Sequence, residues 1–378
     1  MNKQDWTYKK LGEVATLYDS QRKPVTKKDR VSGMYPYYGA TGIQDYVDGY
    51  IFDGRYLLLG EDGAKWGANE KSAFIIEGKS WVNNHAHIMR FDERVNDSFV
   101  EYYLNGKDLN EYITGAVVPK LTQAKLTQIL IPVPPIDEQE RIVAELDLLS
   151  SIIEKKKAQL QEYDQLAQSI FYDMFGDPVT NEKGWHTKKL GTVCEIKGRI
   201  GFRGYTKNDF VSNPKEGAIS LSPTNIVNGS MDYTKCSYVT WEKYYESPEI
   251  MVQNGDILLV KTGSSYGKCS LVRNLPHEAT INPQFVVIKD IQQNNIYLTF
   301  ILSSEYAKYE YDKFVLGTAI PTFTQKALSG LTIPLPPLSL QQEFAEKIEA
   351  IERQKALVQA SIAETETLFN SRMDHYFN

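Results

Sequence analysis

The chain has 378 residues, with 42 Lys and Arg against 48 Asp and Glu, a formal net charge of −6. Hydrophobic residues make up 42% and charged residues 24%, the balance of a soluble globular protein of two or three domains. This excludes a disordered tail protein, a collagen-like chain and a uniformly basic nucleic-acid coat. Met1-Asn2-Lys3-Gln4-Asp5-Trp6 lacks the apolar core of a secretory signal, and no apolar run approaches the ~20 residues of a membrane span. Cys194, Cys236 and Cys269 show no C-x-x-C spacing and read as free thiols of a reducing cytoplasm.

The first element is Trp6-Thr7-Tyr8-Lys9-Lys10-Leu11-Gly12-Glu13-Val14. Asp53-Gly54 and Asp62-Gly63 signal turns, Phe74-Ile75-Ile76 a short buried strand, and Phe99 to Tyr112 a helix running toward Gly115. A Pro-x-Pro-Pro block at 132–135 breaks any helix and stiffens the domain boundary. Beyond it, Ile142, Leu146, Leu149, Ile153, Leu160, Tyr163, Ala167, Ile170 and Met174 fall at steps of three, four and seven, a heptad seam. At about 1.5 Å per residue, this helix is a rod of roughly 55–60 Å. The turn-rich stretch 175–185 closes it.

The same series then repeats. Trp185-His186-Thr187-Lys188-Lys189-Leu190-Gly191-Thr192-Val193 restates the opening at an offset of 179. Asn228-Gly229 and Asn254-Gly255 are turns, Ile257 to Val260 and Phe285 to Ile288 buried strands, and Ile296 to Phe314 a helical stretch running to Gly317. Gly317 to Gln341 aligns without gaps to Gly115 to Gln139 at an offset of 202, with ten of 25 positions identical. A second seam comes after it: Phe344, Ile348, Ile351, Val358, Ile362, Phe369 and Tyr376. Lys156, Lys355, Thr365 and Arg372 interrupt the two seams, either to fix register or because they lie at a solvated edge. The expected division is therefore a mixed domain at 1–136, a helix at 137–176, a second mixed domain at 177–338 and a second helix at 339–378. Net charge is 0 over 1–136, −5 over 137–175, +2 over 176–337 and −3 over 338–378, so the helices hold the acid.

Enzyme signals are poor. Neither a G-x-x-x-x-G-K-[ST] phosphate loop nor a strand-linked G-x-G-x-x-G occurs. Gly198 to Gly204, with Arg199 and Arg203, is either a phosphate-contacting loop or an ordinary one. Glu77-Gly78-Lys79 is a chance-level nuclease pattern, and His85-x-His87 lacks further ligands at metal spacing. Asn282-Pro283-Gln284-Phe285 departs from the N-P-P-[YF] loop of adenine methyltransferases and reads as a polar turn entering a strand. The clusters suited to reading base edges are Trp81-Val82-Asn83-Asn84-His85-Ala86-His87 and Lys261-Thr262-Gly263-Ser264-Ser265-Tyr266-Gly267-Lys268, each expected just after a strand. Both are equally able to be turns that cap their own backbone.

The duplicated plan resembles the DNA-specificity subunit of type I restriction–modification systems, over essentially the whole chain. The resemblance rests on the two Trp…Lys-Leu-Gly openings, Pro36-Tyr37-Tyr38-Gly39-Ala40-Thr41-Gly42-Ile43, Tyr56-Leu57-Leu58-Leu59-Gly60-Glu61-Asp62-Gly63, Asn83-Asn84-His85-Ala86-His87, the paired I-P-x-P-P blocks and Met174-Phe175-Gly176-Asp177-Pro178. It implies an α+β chain with a pseudo-two-fold internal repeat: two mixed target-recognition domains joined by two long antiparallel helices that form a coiled-coil spacer. Each domain would read one half of a split, asymmetric double-stranded DNA site. A rod longer than one ~34 Å turn of duplex suits that role. The resemblance also implies two methyltransferase subunits carrying S-adenosylmethionine chemistry for adenine N6, and restriction subunits driven by ATP and Mg. This chain would then be non-catalytic, cytoplasmic and without its own cofactor or metal. The DNA-contact candidates are Lys65, Asn83, Asn84, His85, His87 and Lys120 in the first unit, and Arg199, Arg203, Lys261, Ser264, Ser265, Tyr266, Lys268, Asn282 and Gln284 in the second. The second unit shows no counterpart of Asn83-Asn84-His85-Ala86-His87, only Ile281-Asn282-Pro283-Gln284-Phe285 near the corresponding point. The alternative is a self-contained nuclease or methyltransferase with a coiled-coil dimer arm.

Overall fold

A computed structural model describes residues 6–199, 201, 204–317 and 320–377. The chain forms two compact units, Met1–Gln159 with Val358–Asn378, and Leu160–Leu357. Each unit thus takes part of each long helix, Ile136–Phe175 and Leu338–Phe377, both of 40 residues.

Within the first unit, a four-stranded sheet runs in the order Ala15–Leu17, Ala86–Phe91, Tyr56–Gly60, Ala73–Ile76. Side chains alternate across a strand. Leu57, Leu59 and Met89 face a core shared with Phe99, Tyr103, Ile142, Leu146, Met373 and Tyr376, all buried. Tyr56, Leu58, Ala86 and Ile88 face the other way, onto Phe52 and Val82 of the neighbouring layer. Both faces are covered, which is why Tyr56 to Leu59 reads as a continuous apolar run rather than an alternation. The covering sheet runs Gly42–Val47, Ser32–Gly39, Lys79–Val82, Phe52–Asp53, with Tyr37 and Tyr38 parallel to Trp81 and Val82.

The second unit repeats this plan. Its inner sheet runs Glu195–Lys197, Phe285–Lys289, Ile257–Val260, Cys269–Leu271. Ile257, Leu259, Val286 and Ile288 face the helices, and Leu258, Val260, Phe285 and Val287 face the outer sheet. The outer sheet gains an edge strand, Phe210–Val211.

The repeated sequence blocks meet each other. Thr7–Lys10 pairs antiparallel with Leu130–Val133, and Thr187–Lys189 with Thr332–Pro334. Leu11 N–H then donates to Ile129 O at 2.8 Å, and Leu190 N–H to Leu331 O at 2.8 Å. The glycine after each leucine is explained by this closeness. A Cβ on Gly12 would lie 2.9 Å from Thr127 Cβ, and one on Gly191 2.8 Å from Ser329 Cβ.

The helix pairing is antiparallel inside each unit. In the first, Arg372 reaches Glu145 at 2.8 Å and Lys157 reaches Glu366 at 2.8 Å. In the second, Phe344 packs edge-on to Phe175 at 5.2 Å, and Lys355 holds Asp164 at 2.8 Å. The expected seam residues Ile142, Leu146, Leu149, Phe344, Ile348, Ile351 and Ile362 are buried, and Ile153, Leu160, Ile170, Val358 and Phe369 half-buried. The start of each helix also packs into its domain: Ile142 and Leu146 against Phe99, Phe344 against Phe300 and Tyr297. The polar interruptions are mostly cross-helix bonds, with Lys156 on Ser361, Lys355 on Asp164 and Arg372 on Glu145. Thr365 instead bonds Ser361 O on its own helix at 2.7 Å. Such pairs add little stability but penalise a slipped register.

Phe344→Ala, at a fully buried position, is expected to lower unfolding stability by about 3–5 kcal/mol. Leu357→Ala on the same helix, 65% exposed, should change it by less than about 0.5 kcal/mol. Urea unfolding of the two variants beside the parent chain checks the pair.

Candidate nucleic-acid interface

In each unit a short turn carries the chain from the outer sheet to the inner one. In the first it is Asn83-Asn84-His85, between strands Lys79–Val82 and Ala86–Phe91. Asn83 N–H donates to Tyr38 O of the outer sheet at 3.0 Å, and Glu61 N–H of the inner sheet donates to His85 O at 2.8 Å. Asn83 Oδ1 accepts from His85 N–H at 2.8 Å, closing the turn on itself.

The second unit builds the same turn from Asn282-Pro283-Gln284. Asn282 N–H donates to Leu221 O at 2.9 Å and Lys261 N–H to Gln284 O at 2.8 Å. Asn282 Oδ1 accepts from Gln284 N–H at 3.0 Å. The expectation that the second unit lacks a counterpart is therefore corrected. Asn83 corresponds to Asn282, Asn84 to Pro283 and His85 to Gln284. Pro283 and Gln284 conceal the match in sequence because backbone hydrogen bonds and the one shared Asn side chain define it. Lys261 to Lys268 is correspondingly not the partner of Trp81 to His87. By register it succeeds the strand equivalent to Tyr56–Gly60, so Lys261 stands where the first unit has Glu61.

Beneath the first turn lies an enclosed ionic network. Arg22 Nη1 donates to Glu61 Oε2 at 2.6 Å and to Ala86 O at 2.7 Å. Lys120 Nζ holds Glu61 Oε1 at 2.8 Å. His87, 1% exposed, places Nδ1 at 2.5 Å from Asp19 Oδ2 and Nε2 at 2.7 Å from Leu121 O. The two ring nitrogens thus sit against a carboxylate oxygen and a backbone carbonyl, both acceptors. Burial works against the charge of Asp19, but His87, the Ile88 N–H and Arg22 outweigh it and hold its carboxyl below the ordinary value. Burial likewise opposes the charge of Glu61, and Lys120 and Arg22 override it. Asp19, Glu61 and His87 put three potential metal-ligand atoms within 4.8 Å, the one such group among the described residues. Their atoms already hold Arg22, Lys120 and a backbone carbonyl, so a cation would have to displace existing bonds.

Three candidate contacts are therefore enclosed. His87 cannot turn outward without abandoning its bonds to Asp19 and Leu121 O, which would leave buried polar atoms unpaired. Asn83 is 2% exposed and spends its side chain on His85 N–H and Gln44. Arg199 is 5% exposed, donating to Tyr205 Oη at 2.6 Å and Thr280 Oγ1 at 3.1 Å. Arg203 lies outside the described residues. Asn84, Pro283, Gln284, Ser264 and Ser265 are exposed. The His85 side chain is 47% exposed and bonds Asp62 at 2.5 Å. Lys120, 40% exposed at its side chain, flanks the first turn through Glu61. Lys65 is open to solvent beside Glu70. Half-buried Lys261 is paired by no carboxylate among the described residues, and burial pulls its ammonium below the usual lysine value. Tyr266 bonds Asp312 at 2.6 Å, Lys268 bonds Pro223 O at 3.4 Å, and Asn282 Nδ2 bonds Gln284 Oε1 at 3.1 Å. Residue types alone did not single out Asp19, Arg22, Gln44 or Glu61. The acidic Glu61-Asp62 pair inside the Tyr56 to Gly63 motif was the one trace of the network.

Two α+β units, each presenting a polar turn at the junction of its sheets, define a duplicated recognition scaffold. The chain belongs to the type I restriction modification DNA specificity domain family, whose model matches residues 3–162 and 182–367. A putative type I restriction enzyme specificity subunit of Haemophilus influenzae is 43% identical over 145 residues, 38% of this chain and 37% of that protein. The MjaVIII specificity subunit of Methanocaldococcus jannaschii is 21% identical over 373 residues, 92% of this chain and 86% of that one. The S subunit structure from M. genitalium shares the fold with a TM-score of 0.57 at 12% identity, covering 99% of this chain and 96% of that one. The alternative of a self-contained modifying enzyme gains no support from these relatives. Among the described residues no helix is long and apolar enough to cross a membrane.

Lowered carboxyl groups stabilise above their unfolded values and lose that contribution as pH falls through the folded ones. The ordinary values are 3.8 for Asp19 and 4.5 for Glu61, so the network's contribution is complete above about pH 4.5 and fades below it. Asp19→Asn should start less stable and lose less between about pH 5 and pH 3 than the parent chain does. Urea midpoints at the two pH values measure this.

Proposed function

We propose that each unit reads one half of a bipartite, asymmetric double-stranded DNA site, and that the long helices set the distance between the halves. One observation carries this reading: the same inter-sheet turn is built twice on the same backbone bonds and the same Asn side-chain bond, with different side chains at the other matching places. His85 faces Gln284, Asn84 faces Pro283 and Glu61 faces Lys261 across the comparison. A shared scaffold with exchanged polar ends suits two readers of unlike base sequence. The contacts in this reading come from Asn84, His85, Lys65 and Lys120 in one half. Gln284, Asn282, Lys261, Ser264, Ser265, Tyr266 and Lys268 supply them in the other.

The chemistry belongs to partners in this proposal. Two methyltransferase subunits bring S-adenosylmethionine and modify adenine N6 in each half-site. Restriction subunits add ATP- and Mg-dependent translocation and cleavage. The exposed acidic faces of the helices, Asp137, Glu140, Glu154 and Glu162 on one and Glu343, Glu346 and Glu364 on the other, support a docking role for those partners.

The test is adenine-methylation sequencing of cells expressing the chain with its methyltransferase partner. A split motif is expected, and replacing 177–338 by another recognition domain should change one half only. His85→Ala and Gln284→Ala should each relax base preference in opposite halves, by about 1–3 kcal/mol of discrimination per lost contact. A motif that appears without the partner, or one that changes in both halves on swapping, overturns the proposal.

A further inference from the structure

The repeated block Gly115 to Gln139 and Gly317 to Gln341 ends on a glutamine that base reading leaves unused. Gln139 and Gln341 are both fully buried, at 0% exposure. Glutamine is rarely enclosed unless every polar atom finds a partner.

In the first unit, Gln139 Oε1 accepts from Asn96 N–H at 2.8 Å. Its Nε2 donates to Arg94 O at 2.9 Å and to Pro134 O at 2.8 Å. Gln139 N–H donates to Pro135 O at 3.1 Å, placing the residue in the first turn of the long helix. Asn96 is itself the cap of the domain's own helix, Asp97–Gly106, accepting from Phe99 N–H at 3.1 Å. One side chain thus ties together the domain-helix cap, the loop before it and the proline block that opens the long helix.

The second unit builds the same joint. Gln341 Oε1 accepts from Asn294 N–H at 3.0 Å, and Nε2 donates to Pro336 O at 2.8 Å. Asn294 caps Asn295–Ser303. The third bond differs: Nε2 donates to Gln293 Oε1, a side chain, at 2.9 Å. The joint is therefore the same clamp made twice, with a side-chain partner in place of one backbone carbonyl in the second copy.

A hydrophobic contact at this point would tolerate a range of angles. Three directed bonds from one planar amide do not, because each weakens steeply off line. One acceptor carbonyl in each unit, that of Pro134 or Pro336, lies in a Pro-Pro pair that restricts its backbone. We propose that Gln139 and Gln341 are positioning residues that fix the angle between each recognition domain and its long helix, and thereby the number of base pairs tolerated between half-sites. This rests on the bipartite-reader function above.

The experiment is methylation sequencing of the full complex carrying Gln139→Leu, Gln341→Leu or Gln293→Ala, with the parent chain alongside. The half-site bases should stay unchanged. Methylation at sites whose spacer is one base pair longer or shorter should rise about tenfold over the parent, the scale of one lost buried hydrogen bond. Gln293→Ala removes a single bond at a half-buried residue and leaves the fold in place, so it decides the matter should the leucine variants not fold. A Gln293→Ala complex that keeps one spacer length at parent levels overturns the proposal. So does any variant that changes the half-site bases instead. Absence of a split motif from the parent complex is a different result and overturns the underlying reader function.

Discussion

A helix of 40 residues with one apolar stripe cannot hold its shape alone in water, because tertiary burial of that stripe supplies most of its stability. Each inner sheet has the complementary difficulty, with apolar side chains on both faces and an outer sheet covering only one. The two needs are met together. Leu57, Leu59 and Met89 close against Phe99, Ile142, Leu146 and Met373, and Ile257, Leu259 and Val286 close against Phe344, Ile348 and Phe171. The rest of the architecture depends on that shared burial. Removing or rearranging the helices would expose part of the inner face of each sheet.

The burial also explains where sequence is free to vary. The turn between the sheets is held by backbone bonds from Tyr38 and Glu61, or from Leu221 and Lys261, none of which depends on the side chain presented. A histidine and a glutamine therefore occupy one structural position, as do a glutamate and a lysine. The first unit spends Glu61 on a buried network with Arg22, Lys120 and, through Asp19, His87, while the second leaves Lys261 without a carboxylate among the described residues. The same fold thus supports a charge-paired network in one unit and, in the other, a lysine with no carboxylate partner among the described residues.

Polar groups inside the structure act mainly as orienting devices. Lys355 with Asp164 and Arg372 with Glu145 mark the register of the antiparallel pair, and Gln139 and Gln341 tie the start of each helix to its domain. Apolar contact provides the adhesion, and the directed bonds choose one arrangement among those it would allow.

The duplication, the helix seams and the mixed strand-and-helix character of the domains were legible in the sequence, because apolar spacing and repeated proline blocks are local patterns that burial imposes directly. Phe344, Ile348 and Ile351 could be placed on a seam from their spacing alone. Which polar residues face outward was not legible. His85 and His87 are two residues apart in the chain, yet one lines the open turn and the other is sealed against Asp19, 68 positions earlier. Arg199, in a loop readable either as phosphate-contacting or as ordinary, is buried and stacked on Tyr205 inside the domain. Asn282-Pro283-Gln284 could be placed near the point of Asn83-Asn84-His85, but not recognised as the same turn. Periodicity reports which side of an element is apolar. The partner of a polar side chain is decided by strands brought together from distant parts of the chain, and only the tertiary structure contains that information.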